Sequence, residues 1–228
     1  MAEPSGRMAP VPRSVASRFG GTPTRLYLIR HGDVVKTRPN TYHGHKDVDV
    51  TATGVAQLDR VAERLASAPL RAVYSSTLRR SRQGAAQVAK PHGLEVRSFP
   101  EFREKHFGAW EGLTYDEVAE RYPEDWARWL VDPPSVRPEG GESYAEMQAR
   151  VLIALSDVMA KHPGEAIALV AHGGVNRAIL CHALGLDLTY VFRIEQDYGA
   201  TNIIDFFPEG PAVVKAMNVL YWDQSAGG

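Results

Sequence analysis

Only one cysteine, Cys181, occurs in the 228-residue chain. It rules out an intramolecular disulfide, and its apolar surroundings in the sequence mark it as a small buried hydrophobe. Such cysteine usage fits a reducing compartment, so a cytoplasmic location is expected. No apolar run reaches the ~20 residues that cross a bilayer, and no signal-type apolar core stands near the N-terminus, so no membrane partner is expected. Neither charge is in excess: 26 Lys and Arg stand against 27 Asp and Glu, a formal net charge of -1. That excludes a global basic field and disfavours a nucleic-acid partner. Any anion site must be built locally. There is no Walker A loop, no acidic cluster that demands Mg²⁺, and no repeat of fixed period. No cofactor is expected.

What is present is ordinary globular usage. With 44% hydrophobic and 23% charged residues over this length, one large domain fits better than two small ones. Residues 1–24 carry Pro, Ser, Gly, Ala and scattered Arg without apolar periodicity, and read as a disordered tail. A single domain is expected over 25–220, followed by a short tail, 221–228.

The domain opens on Arg25-Leu-Tyr-Leu-Ile-Arg30-His31-Gly32-Asp33, a buried-strand pattern that ends abruptly in Arg-His-Gly. Glycine allows a sharp turn there. A guanidinium and an imidazole thus sit together at a strand's C-terminal end, where open α/β sheets bind ligands. A lone Arg-His-Gly is a weak signal, so the partners must come from elsewhere. The loop His43-Gly44-His45-Lys46-Asp47-Val48-Asp49 lacks helical His spacing, and reads as substrate-facing rather than metal-binding. Thr51 caps a helix with the stripe Val55, Leu58, Val61, Ala62 and Leu65. A second strand, Arg71–Ser75, leads into a helix that opens near Arg79 and Arg80. Two arginines at a helix start oppose its dipole unless an anion joins them, and at least one of the pair is expected in solvent.

Leu94–Phe99 reads as a third strand. The stretch from Glu101 to Gly112 has the Gly and aromatic texture of a packed functional loop. Thr114/Glu117 and Ser143/Glu146 are capping boxes, and Pro123 suits a helix N1 position. Trp110–Gly141 therefore reads as a small helical cap over the sheet. Ala166–Ala171 is a central, fully buried strand that ends in His172-Gly173-Gly174 and repeats the opening design. The helix start behind it favours an anion. A terminal hairpin closes the chain.

Two strand-end histidines, Arg30, a helix-start arginine and an acid in the Glu101–Glu104 loop suit phosphoryl transfer to an imidazole. That reaction needs cations around the nonbridging oxygens, an in-line nucleophile and a proton donor for the leaving oxygen.

Read together, these motifs resemble the histidine phosphatase superfamily, also called phosphoglycerate mutase-like, from about residue 25 to 207. Leu28-Ile-Arg30-His31-Gly32 is similar to its Arg-His-Gly motif, and Ser75-Ser-Thr-Leu78-Arg79-Arg80-Ser81 to its Ser-x-Leu-x-Arg-Ala motif. Glu104-Lys-His-Phe-Gly108-Ala-Trp110-Glu-Gly112 resembles the segment with the catalytic acid; Gly141-Glu142-Ser143 and Ala171-His172-Gly173 match further signatures. The chain departs from the family at Asp33, Val34 and Thr37, where Glu, Thr and Asn are frequent, and at Gly84, often Thr. The resemblance implies an α/β three-layer sandwich with a mixed, mainly parallel sheet. It implies His31 as nucleophile, Glu104 as proton donor, and Arg30, Arg80 and His172 around the phosphate, with His172 protonated once phosphate is bound. Gly173 and Thr37 are further expected substrate contacts, and no residue is expected to hold a metal.

The implied activity is metal-independent hydrolysis of a small phosphate ester, such as a sugar phosphate or an α-ribazole 5′-phosphate, by a monomer or homodimer. The α-ribazole and broad-specificity phosphatase branch resembles the chain best. A cofactor-dependent phosphoglycerate mutase is the alternative, disfavoured because the resemblance implies a longer insertion than 110–141. A non-catalytic phospho-ligand binder is the third reading, disfavoured because all five positions are filled.

Overall fold

The computed structural model describes residues 19–35 and 38–221. Its sheet has six strands: β1 (Thr24–Arg30), β2 (Leu70–Ser76), β3 (Val96–Phe99), β4 (Ala166–Ala171), β5 (Thr201–Phe206) and β6 (Ala212–Val219). They lie in the order β3-β2-β4-β1-β5-β6. Strands β3, β2, β4 and β1 are parallel neighbours, while β5 and β6 are the antiparallel hairpin expected from the sequence. The sheet is therefore mixed and mainly parallel.

Alternation along the strands builds three layers, because successive side chains point to opposite faces. On one face Leu26, Leu28, Ile167 and Leu169 meet α5 (Tyr144–Met159) and α6 (Gly173–Leu184). On the other face Tyr27, Ile29, Ala168 and Val170 meet α1 (Ala52–Leu65) and α2 (Arg79–Ala89). Strand β4 is buried along its whole length, as its unbroken apolar run requires. Two short helices, α3 (Tyr115–Arg121) and α4 (Pro123–Val131), form the cap segment.

Helix starts follow the local chemistry. The Thr51 side chain accepts the Gly54 N–H, and Thr114 and Ser143 each complete a capping box. Within α1 the inward positions are Gly54, Leu58, Val61, Ala62 and Leu65, while Val55 is only half-buried. The difference has a steric cause. Gly32 and Gly54 meet backbone to backbone, and a Cβ on Gly32 would come within 2.1 Å of the Gly54 carbonyl oxygen. This contact draws the first turn of α1 against the end of β1.

Most of the expected N-terminal tail, together with Lys36, Thr37 and residues 222–228, lies outside the described residues. Phe19–Thr24 is described and touches the domain. Phe19 packs edge-on against Phe207, and the Thr24 hydroxyl donates to the His162 carbonyl at 2.7 Å. The folded chain thus begins before Arg25. Among the described residues no helix is long and apolar enough to cross a membrane.

Candidate active site

The parallel strands β1 and β4 end side by side, with Arg30 in register with Ala171. Each delivers one histidine. The rings of His31 and His172 are 5.1 Å apart, edge to face, and both are buried.

His31 Nδ1 lies 2.8 Å from the Gly32 carbonyl oxygen. A carbonyl only accepts, so Nδ1 carries the proton and Nε2 keeps a lone pair. Burial first, then the charges of Arg80 and Arg30, push the ring well below the usual histidine range. The imidazole is neutral at physiological pH.

His172 is held from its other side. The Ser76 hydroxyl accepts the Leu78 N–H at 3.2 Å and stands 2.7 Å from His172 Nε2. Its own proton is free to go to Nε2, an arrangement that puts the ring's proton on Nδ1. That Nδ1 is buried and has no hydrogen-bond partner among the described residues. Burial, then Arg80, His31 and Arg30, again disfavour the imidazolium. An added anion would oppose those cations and favour protonation.

Each arginine is fixed by backbone carbonyls. Arg80, buried at the start of α2, donates from Nη1 to Lys46 O (2.8 Å) and from Nη2 to Gly44 O (2.7 Å). Its neighbour Arg79 lies in solvent and pairs with Asp49 at 2.5 Å, while Asp47 accepts the Arg79 N–H. Of the two helix-start arginines, Arg79 is in solvent, as expected of at least one of them, and Arg80 points inward. Arg30 donates to the Gln196 carbonyl and lies 3.8 Å from the Tyr198 ring centroid. Its Nε is buried without a hydrogen-bond partner among the described residues.

Glu104 reaches the first turn of α6. Its carboxylate accepts the Lys105 N–H (2.9 Å) and the Gly174 N–H (3.0 Å). A Cβ on residue 174 would come within 2.4 Å of Glu104 Oε1, so only glycine leaves room for this carboxylate. Behind it, Arg150 grips the Glu142 carboxylate and the carbonyls of Glu101, Arg103 and Glu104.

Arg30, His31, Arg80, Glu104 and Gly173 share one cavity of about 590 Å³. His172, fully buried, touches the His31 ring and is not among the residues that line the cavity. Thr37 lies outside the described residues. Away from the histidine the cavity wall is aromatic, with Tyr42, Phe107, Trp126, Trp129, Tyr144 and Phe192. Helices α3 and α4 supply part of that wall. Of the 43–49 loop, His43 and Gly44 face the cavity, while His45 turns away and donates to the Glu104 carbonyl. Among the described residues no cluster of three or more His, Cys, Asp or Glu side chains could hold a metal ion.

Sequence reasoning missed Gln196 and Tyr198, which place Arg30, and Arg150, which places Glu104. None sits in a recognisable motif. Gln196 and Tyr198 lie in an irregular loop before β5, and Arg150 looks like one more polar residue of α5.

The chain belongs to the histidine phosphatase superfamily (branch 1), whose family model matches residues 26–219. Among relatives, the bifunctional protein Rv2228c of Mycobacterium tuberculosis is 34% identical over 87% of this chain, and the chain spans about half of it, 54%. Phosphoserine phosphatase 1 of Hydrogenobacter thermophilus is 33% identical, covering 79% of this chain and 85% of its own. The solved structure of the alpha-ribazole phosphatase from Shigella flexneri superimposes with a TM-score of 0.77 at 26% identity, covering 86% of this chain and 96% of that one.

Proposed function

We propose that the chain is a metal-independent phosphomonoester hydrolase that works through a phosphohistidine on His31. The observation that carries this reading is the state of His31: neutral, with Nδ1–H spent on Gly32 and the Nε2 lone pair free beside two guanidinium groups.

Arg30, Arg80, the Nδ1–H of His172 and the Gly173 N–H hold the nonbridging oxygens, where transition-state charge resides. His31 Nε2 forms the N–P bond as the ester P–O bond breaks. Glu104 gives its proton to the departing oxygen, which would otherwise leave as a strong base. Water then attacks phosphorus, Glu104 takes its proton, and the N–P bond breaks to release phosphate. As phosphate enters, its negative charge offsets Arg30 and Arg80, and His172 becomes protonated.

The substrate is a small phosphate ester whose alcohol part is a ring, of the sugar phosphate or α-ribazole 5′-phosphate type. The aromatic wall of the cavity supports this, because flat apolar faces suit rings and the apolar faces of sugars. Hydrolysis is favoured over transfer to a second hydroxyl. The cap consists of two short helices, and the exposed Leu130 and Phe192 at the cavity leave a path for water.

The test is hydrolysis of p-nitrophenyl phosphate in excess EDTA. Wild type is expected to turn over, and His31→Ala to lose activity by at least about 10³-fold while it keeps its fold. Turnover that needs added metal, or that survives in the variant, would overturn the proposal.

A further inference from the structure

Lys105 is a buried cation that this mechanism leaves without a task. It follows Glu104 directly, and none of its surface reaches solvent. Its ammonium has no hydrogen-bond partner among the described residues. It lies instead over two rings, 4.8 Å from the centroid of Phe107 and 4.9 Å from that of Trp129. An ammonium stripped of water and given no acceptor is unfavourable, and the negative faces of aromatic rings offset part of that cost.

The two rings come from different parts of the fold. Phe107 belongs to the loop that carries Glu104, and Trp129 to cap helix α4. Both line the cavity. Trp129 also stacks on Tyr144 at 5.3 Å and meets Phe192 at 5.3 Å, so its placement sets much of the aromatic wall.

We propose that Lys105 is a positioning residue whose ammonium latches cap helix α4 to the Glu104 loop, holding Trp129 and Phe107 as the wall that receives the alcohol part of the substrate. The latch depends on charge. Burial lowers Lys105 to about 8, against the pull of Glu142, Glu104 and Glu146. Those carboxylates are engaged elsewhere: Glu142 by Arg150, Glu104 by the Lys105 and Gly174 amides, and Glu146 by Arg137 and the Ser143 amide. The latch is therefore charged at neutral pH and released as pH rises through about 8.

The kinetic part of the test rests on the proposed hydrolase reading; the spectroscopic part does not. Lys105→Met and Lys105→Arg are compared with wild type, using p-nitrophenyl phosphate for kinetics and tryptophan fluorescence of the ligand-free protein, with Trp129→Phe as reference. Lys105→Met is expected to raise KM roughly three- to tenfold at pH 7 with kcat little changed. Wild-type KM is expected to rise by the same factor between pH 7 and pH 9, and that of Lys105→Arg to stay low. Wild-type fluorescence is expected to titrate near pH 8, with the transition lost in Lys105→Met and in Trp129→Phe. Absence of any wild-type turnover would count against the hydrolase reading, and the fluorescence titration would still decide the latch. A KM in Lys105→Met that matches wild type at both pH values would overturn the proposal, as would a fluorescence transition unchanged by the substitution. Should Lys105→Met not fold, a transition that persists in Lys105→Arg would overturn it equally.

Discussion

Burial moves the titration of three side chains at this site, His31, His172 and Lys105, below the ordinary range of their kind. His31 and His172 are neutral because burial and neighbouring arginines expel the imidazolium. The unfolded chain binds those two protons below about pH 6.5 and the folded chain does not, so stability is lost as pH falls through that value. Each histidine adds up to about 1.4 kcal/mol per pH unit to the acid slope. Denaturant unfolding of wild type and His31→Gln between pH 7 and pH 5 is expected to differ in slope by about that amount, and equal slopes would contradict the neutral state of His31. Lys105 moves stability in the same direction, in a higher pH window. Its ammonium destabilises the folded state below about 8, and that cost is relieved as pH rises toward the value of a free lysine, 10.5. Lys105→Met is therefore expected to unfold at higher denaturant than wild type at pH 7, by no more than about 3 kcal/mol in stability. The pairing of Arg80 with the His31 site is legible from the Ser-x-Leu-x-Arg pattern, whereas the burial of Lys105 is not. A lysine next to a glutamate in a loop reads as solvated surface, and only tertiary packing puts two rings around it.

At the level of elements, the alternating strands, the Thr51 cap and the two capping boxes are readable because their chemistry is local. Positions set by close approach are not. Gly174 looks like an ordinary helix-start glycine, yet it exists in this place to admit the Glu104 carboxylate. Gly174→Ala is expected to resemble Glu104→Gln: turnover of alkyl phosphates falls by roughly 10²-fold or more, and that of p-nitrophenyl phosphate falls much less, because nitrophenolate leaves without a proton. Equal losses on both substrates would argue against Glu104 as the proton donor. The cap helices are legible from Pro123 and the Thr114 box, but their use is not. Trp126 and Trp129 read as two apolar residues of one helix face, while in the fold Trp129 is buried and Trp126 lines the cavity beside it. Trp129→Ala is expected to destabilise the protein by about 3–5 kcal/mol in a denaturant titration, as a large ring lost from a packed cluster does.

For the molecule as a whole, a formal net charge of -1 leaves no long-range field to draw in an anionic substrate. The cations that matter are buried at one end of the sheet, where screening is weak. The ratio kcat/KM is therefore expected to change by no more than about twofold between low and moderate salt, in contrast to a site that relies on electrostatic steering. The order of strands also explains why a single sheet suffices. Parallel β1 and β4 are neighbours, so two motifs 141 residues apart in sequence, at His31 and His172, end on the same edge with their rings in contact. The central claim is that the phosphoryl group passes through His31 Nε2. Its most direct test is rapid quenching of wild type with a ³²P-labelled phosphate ester in EDTA, followed by denaturation in alkali and peptide mapping. An acid-labile, alkali-stable label on the peptide that holds His31, absent from His31→Ala, is the expected result. Turnover with no label on the protein, or with label on any other residue, would contradict it.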